Sequence, residues 1–153
     1  MKPLAFVIAL ASSQIACTAD EVASFKESAT QILVGKYLGH TEYGAYVCVK
    51  IEGEAPSKAQ ITSFQSLGIR EVGPPSECEC PENKVHDDQC FRKNSQQRAC
   101  LLSVNDFQFH AFTNASASVG QSCGETYGDG EVASFEKHDG VWLYAGSSKR
   151  IVE

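Results

Sequence analysis

The segment PSECECPENKVHDDQC, residues 75–90, holds the residues of this sequence that are best suited to chemistry. Cys78, Cys80 and Cys90 lie close to His86 in the chain. Thiolates and imidazole bind zinc, thiol pairs exchange disulfides, and oxidised cysteines cross-link a chain. A C-x-C pair followed by this histidine matches no standard zinc finger or ribbon, and no C-x-x-C motif begins a helix. We therefore predict a loop held by disulfides, with a metal-binding module on these four residues as an alternative.

The number of cysteines favours the disulfide interpretation. Of the seven cysteines in the sequence, Cys17 lies at the end of an N-terminal leader, where it is either removed or modified with lipid. The disulfide candidates are the other six: Cys48, Cys78, Cys80, Cys90, Cys100 and Cys123. An even number of cysteines in an exported chain predicts up to three disulfides, and the sequence leaves about fifteen connectivities open.

The N-terminus has the order of a secretory signal peptide. Lys2 supplies a positive charge, LAFVIALA an apolar core, and SSQIACTAD a run of small and polar residues. We predict a signal peptide over residues 1–19, cleaved near 16 or 19, and a single domain over residues 20–153. Cleavage after residue 16 leaves Cys17 at the new N-terminus, the position of possible lipidation in a bacterial lipoprotein. The predicted location is the periplasm or a lipid-anchored position in the cell envelope.

The remainder of the sequence carries no recognisable catalytic constellation. It has no G-x-S-x-G, H-E-x-x-H or P-loop motif, and its four histidines have no partner at a diagnostic spacing. His110, beside Phe109, is the best candidate for a small hydrolase with a His/carboxylate site, although a structural role is favoured. We predict no catalytic residue, no metal and no cofactor. A net charge of −6 without a Lys/Arg cluster argues against a nucleic-acid partner.

Two stretches in the first half of the chain have the hydrophobic pattern of helices. DEVASFKESATQILVGKYL (20–38) has apolar residues at helical spacing, with Asp20 as the expected cap. PSKAQITSFQSLG (56–68) has firmer signals, because Ser57 and Gln60 have the spacing of a reciprocal capping box.

Strands dominate the second half. YVCVKIEG (46–53) alternates between apolar and polar residues, and alternation resumes after residue 99. EVASFEKHDGVWLYAG (131–146) predicts a hairpin that turns at Asp139 and Gly140. The predicted fold class is α+β: an antiparallel sheet with one or two helices packed on one face and a long disulfide-held loop.

Two of these stretches are similar to sequences of a known group. The first stretch consists of YVCVKIEGEAPSKAQITSFQSLG (46–68) and REVGPPSEC (70–78). It resembles a segment of small uncharacterised bacterial exported proteins: a strand, a short helix opened by Pro-Ser, and a strand that ends at Ser-x-Cys. GEVASFEKHDGVWLYAG (130–146) resembles their closing hairpin, which is also similar to the final strands of cystatin-like and NTF2-like α+β domains. The resemblance implies a protein of the bacterial envelope, and it carries over no catalytic residues.

The sequence thus predicts an exported envelope protein, most simply a non-enzymatic domain that binds a protein or a small ligand. The leader, the even number of remaining cysteines and the lack of a catalytic pattern all favour this interpretation. The alternatives are a small hydrolase with an unrecognised His/carboxylate site and a Cys/His metal-binding module. Contact with a membrane is expected only through a lipid on Cys17.

Overall fold

The computed structural model describes residues 17–38, 45–69, 71–80, 90–123, 126–127 and 130–149. Most of the predicted signal peptide lies outside the described residues. His40 and His86 also lie outside them, as does the tip of the predicted disulfide loop.

Two helices and nine strands form the described part of the fold. The helices are α1 (Ala19–Leu38) and α2 (Lys58–Ser66). The strands are β1 (Tyr46–Ile51), β2 (Val72–Gly73), β3 (Cys78–Glu79), β4 (Phe91–Arg92), β5 (Ala99–Ala111), β6 (Asn114–Cys123), β7 (Thr126–Tyr127), β8 (Glu131–His138) and β9 (Val141–Lys149). A single turn of 3-10 helix, Pro75–Glu77, precedes β3. The predicted α+β class is confirmed.

The main sheet is mostly antiparallel, with the strand order β2-β1-β5-β6-β8-β9 and β7 beside β6. The prediction of an antiparallel sheet is correct only in part, because β1 runs parallel to both β2 and β5. Parallel neighbours require a crossover, and α2 supplies the one between β1 and β2. The prediction placed β1 in an antiparallel sheet because alternation along a strand carries no information about the direction of its neighbours.

Helix α1 lies across the antiparallel strands and contacts β5, β6 and β9. Its N-terminus differs from the prediction, because Thr18 rather than Asp20 supplies the cap. The Glu21 amide donates to Thr18 Oγ1 at 3.2 Å, and the Thr18 amide donates to Glu21 Oε2 at 3.0 Å. These are the two bonds of a capping box, which satisfy amides that have no partner within the helix.

The core forms between α1 and the sheet. Phe25 of α1 is fully buried, and its ring packs against four aromatic side chains of the sheet. They are Phe107, Phe109, Phe135 and Trp142. Helix α2 begins at the predicted capping box of Ser57 and Gln60 and adds a buried Phe64. The face of the antiparallel strands that is turned away from α1 is called the outer face below.

A bulge in β5 explains how thirteen residues stay in register with the core. Leu102 and Val104 are buried, and the next core side chains in the strand are Phe107 and Phe109. The extra residue falls at an irregularity in pairing with β6, where Asp106 has a φ of 52°. A bulge of this kind changes which alternate residues face the core.

Candidate functional site

The predicted disulfide loop is cross-linked to the sheet and closed on itself. Cys48 of β1 is bonded to Cys78 of β3, with a Cα–Cα distance of 6.1 Å. Cys80 is bonded to Cys90 and encloses residues 81–89. The prediction of disulfide bonds is therefore confirmed, and Cys100 is also disulfide-bonded.

The two disulfides occupy the cysteines that the alternative metal site would use. Cys78, Cys80 and Cys90 have their sulfur atoms in disulfides, and a metal ligand must be a thiolate. His86, the fourth residue of that alternative, lies outside the described residues. Among the residues that are described, no group of three or more His, Cys, Asp or Glu side chains is arranged to hold a metal ion.

A polar cluster braces the disulfide loop against β1. The Tyr46 hydroxyl donates to Glu77, and the Arg92 guanidinium lies 4.2 Å from the centre of the Tyr46 ring. Arg92 also pairs with Glu77, at 3.7 Å between Nη2 and Oε2. Burial, together with the bond to the Glu77 carboxylate and its charge, raises the pKa of Tyr46 to about 12. The cluster is a structural tie, because its polar groups are directed at one another.

Gly73 of β2 is required by this cluster. A Cβ atom at position 73 would lie 1.9 Å from the Tyr46 hydroxyl oxygen, closer than any real contact. The glycine thus gives the Tyr46 hydroxyl room to reach Glu77.

His110, the candidate for a hydrolase, is exposed on the outer face. Its Nε2 atom lies 2.8 Å from the hydroxyl oxygen of Ser116 on the neighbouring strand. Ser116 is itself only 6% exposed. The hydrogen bond found among the described residues therefore joins His110 to a serine, whereas a His/carboxylate site needs an acid in that place.

A second polar cluster connects the end of α1 to β8 and β9. Tyr37 and Ser147 both donate to the carboxylate of Glu131, Ser147 at 2.9 Å. These two donors hold the pKa of Glu131 below its usual value, and burial and the same carboxylate raise the pKa of Tyr37. The neighbouring residue of α1, Lys36, places its Nζ atom 4.4 Å from the centre of the Tyr144 ring. The arrangement fixes the C-terminal end of α1 to the sheet.

Strand β9 forms one edge of the main sheet. In the part of the chain that the structure describes, β8 is the strand that pairs with β9, and its other side has no strand beside it. The opposite edge, β2, is only two residues long, whereas β9 has nine. Short edges give other chains little to pair with, and long edges present a row of peptide groups.

The hairpin that ends in β9 determines which peptide groups point outward. Its two turn residues, Asp139 and Gly140, have φ values of 49° and 82°, the signature of a type I′ turn. In such a turn the two flanking residues, here His138 and Val141, form a hydrogen-bonded pair. Along the hairpin from there, hydrogen-bonded and non-hydrogen-bonded pairs alternate. Lys137 follows this rule, because its amide donates to Thr113 at 2.8 Å and not to its β9 partner, Trp142.

It follows that the peptide groups of β9 alternate between β8 and the open side. Those of Val141 and Leu143 face β8, and those of Trp142 and Tyr144 point away from it. The pattern holds through Tyr144. The next residue, Ala145, has no partner in β8 and forms a bulge with Gly146, whose φ of 153° suits glycine.

The side chains of this edge are uncharged and partly apolar. VWLYAGSS (141–148) contains no charged residue, and natural edge strands are usually guarded by charge or proline. Val141 is 59% exposed and Leu143 49%, both on the outer face, while Trp142 is buried under α1. Among the described residues, no strand pairs with the outward peptide groups of β9, and an exposed apolar edge of this kind is able to take an additional strand.

Comparisons with known proteins place no relative beside this chain: no family model, no curated protein and no solved structure matches it. Within the described residues, neither helix is long and apolar enough to cross a membrane.

The sequence indicated part of this site. The hairpin is predicted with its turn at Asp139 and Gly140, but the prediction does not say that its second strand is an edge of the sheet. The position of β9 at an edge follows from the order of the strands in the sheet. Contacts between residues far apart in the chain determine that order. The signal available in the sequence was the uncharged run of eight residues. Edge strands usually carry charged residues that block pairing with other chains, so an edge strand without charge is open to an added strand.

Proposed function

We propose that this protein is an exported, non-enzymatic binding domain of the cell envelope that takes an extended segment of a partner protein along β9. The observation that carries the proposal is the open edge: nine residues long, uncharged up to Ser148, and exposing Val141 and Leu143. In strand addition, main-chain hydrogen bonds supply affinity and alternate side chains supply specificity.

The disulfides support the exported location, because such bonds persist in oxidising compartments. The cap of α1 bears on the processing site. Cleavage after Ala16 retains Thr18 and its bonds with Glu21, whereas cleavage after Ala19 removes Thr18. The proposal therefore takes cleavage after Ala16, which leaves Cys17 as the N-terminal residue and the lipid-attachment position of an envelope protein.

The hydrolase alternative rests on the contact between His110 and Ser116. A serine activated by that histidine would react with a fluorophosphonate probe, and the label would disappear in Ser116→Ala. We expect no labelling, because Ser116 is buried within β6 and the described residues show no carboxylate bonded to its histidine. Specific labelling of Ser116 would replace the binding proposal with the hydrolase.

The binding proposal is tested by photo-crosslinking in intact cells. A photoreactive amino acid at Leu143 is compared with the same amino acid at Ser134, which is exposed on the outer face of β8, one strand inward. We expect a discrete adduct from position 143 and none from position 134. Adding Val141→Lys to the chain with the probe at position 143 should abolish the adduct, because it places a charge on the edge.

Two results would contradict the proposal. One is equal crosslinking from both positions, which indicates random collision. The other is no adduct from position 143 when the protein is present at its natural level.

A further inference from the structure

We infer that a second copy of this chain is a partner of β9, with the two β9 strands paired antiparallel about a two-fold axis at Leu143. This inference rests on the proposed function, because it names one occupant of the same edge. It follows from the peptide directions, the side-chain pattern and the charges of β9.

The peptide directions permit this register. Trp142 and Tyr144 point their peptide groups away from β8, so they are the residues able to bond to an added strand. With Leu143 on the axis, Trp142 of each copy lies opposite Tyr144 of the other, and both pairs exchange hydrogen bonds. The paired segment runs from Val141 to Ala145, and its last residue is the one that the β9 bulge leaves without a partner in β8.

The side chains are self-complementary in the same register. On the outer face, Leu143 meets its own copy, and Val141 meets Ala145; all three side chains are exposed in the single chain. On the inner face, the aromatic residues Trp142 and Tyr144 are cross-strand neighbours. Pairs of apolar and aromatic side chains across strands are the contacts that stabilise a sheet.

The charges are complementary as well. Two copies with a net charge of −6 repel one another over most of their surfaces. VWLYAGSS has no charged residue, so the two copies can approach along it without repulsion between like charges. Asp139, in the turn before Val141, lies at the end of the paired segment that is next to the C-terminal part of β9 in the other copy, which ends at Lys149. Asp139 and Lys149 are both exposed, and the two-fold axis brings these opposite charges to the same end of the pairing twice.

The expected dimer is weak in solution. Five paired residues per copy bury much less than the roughly 1,200 Å² of a stable interface. Attachment of both copies to one membrane would raise their effective concentration and favour pairing.

The test is a single cysteine on the axis. Residues in a non-hydrogen-bonded antiparallel pair have Cα atoms about 4.5 Å apart, within the range of a disulfide. In a Cys17→Ser chain, Leu143→Cys should therefore form a disulfide-linked dimer under mild oxidation at least about tenfold faster than Val141→Cys. Val141 is the matched control because it is equally apolar, more exposed and on the same face, but is not opposite its own copy.

A second pair of variants checks the register without relying on Leu143. A mixture of the Val141→Cys and Ala145→Cys chains should give the mixed dimer faster than either chain gives its own. Equal rates for Leu143→Cys and Val141→Cys, or no dimer from Leu143→Cys, would overturn the inference. If crosslinking from position 143 in cells still captures a different protein, the proposed function stands without the second copy; if it captures nothing, both fail.

Discussion

The hydroxyl of Thr30 lies inside the core, where α1 packs against the remainder of the domain. Thr30 is 1% exposed, and its Oγ1 atom has no hydrogen-bond partner among the described residues. Burying a hydroxyl without a partner costs free energy, and valine has nearly the same shape. We expect Thr30→Val to raise the free energy of unfolding by about 1 kcal/mol, measured by urea denaturation.

The matched control is Thr62→Val in α2. Thr62 is exposed, and its hydroxyl donates to the carbonyl of Lys58 at 3.0 Å. This change should leave stability nearly unchanged or slightly reduced. A loss of stability in Thr30→Val would show that the hydroxyl has a partner in solution.

The carboxylate of Glu131 predicts a pH dependence. Donation by Tyr37 and Ser147 lowers its pKa below the usual value of 4.5, so the unfolded chain binds this proton more readily than the folded chain. The stabilisation is present above pH 4.5 and is lost as the pH falls through the folded pKa. Glu131→Gln should therefore be less stable than the wild type at pH 7, with a difference that narrows as the pH falls below 4.5.

Urea denaturation at several pH values measures this difference. Glu136→Gln is the matched control, because it removes a carboxylate from the outer face of the same strand without touching Tyr37 or Ser147. A constant difference between wild type and Glu131→Gln across the acid range would contradict the assignment.

At the residue scale, local contacts are readable from sequence and distant ones are not. The capping box of Ser57 and Gln60 was predicted because its two residues are three apart. The box of Thr18 and Glu21 has the same spacing, but the adjacent Asp20 was a competing cap. The contact between Tyr37 and Glu131 spans 94 residues, and only the folded sheet brings them together.

At the scale of elements, the third disulfide is the clearest prediction. Cys100 is disulfide-bonded, Cys17 is free, and the other described cysteine sulfurs are paired. The register of β5 and β6 pairs Leu101 with Ser122, which brings Cys100 and Cys123 to neighbouring positions of the two backbones. We expect peptide mapping without reduction to recover a Cys100–Cys123 link.

Intact mass spectrometry of the protein from its native envelope checks the same prediction. No thiol should label before reduction and six should label after it, and a lipid on Cys17 would appear as added mass. Thiols that label without reduction between Cys78 and Cys90 would contradict the disulfide-held loop and favour the metal-binding alternative.

Individual elements were easier to predict than their arrangement. The hairpin of β8 and β9 follows from alternation and an Asp-Gly turn, both local signals. The parallel placement of β1 between β2 and β5 was missed, because it depends on crossovers whose direction no local pattern shows. The candidate site is an edge of the sheet, so it was missed for the same reason.

For the whole molecule, the two sheet edges differ in the way that the proposed function needs. The edge at β2 is two residues long, and the Cys48–Cys78 disulfide ties β1, its neighbour, to the loop that follows. The edge at β9 is long, uncharged over eight residues and anchored by the buried Trp142. A sheet with one short edge and one long, open edge is suited to adding a single strand at a defined position.

Amide hydrogen exchange at β9 tests this claim most directly. In the dilute, isolated protein, the amides of Trp142 and Tyr144 should exchange quickly, whereas those of Val141 and Leu143, which bond to β8, should be protected. In protein that is concentrated or retained in its native envelope, the amides of Trp142 and Tyr144 should exchange at least about tenfold more slowly. If both are already protected in the dilute protein, or stay unprotected in the envelope, β9 is not the binding edge.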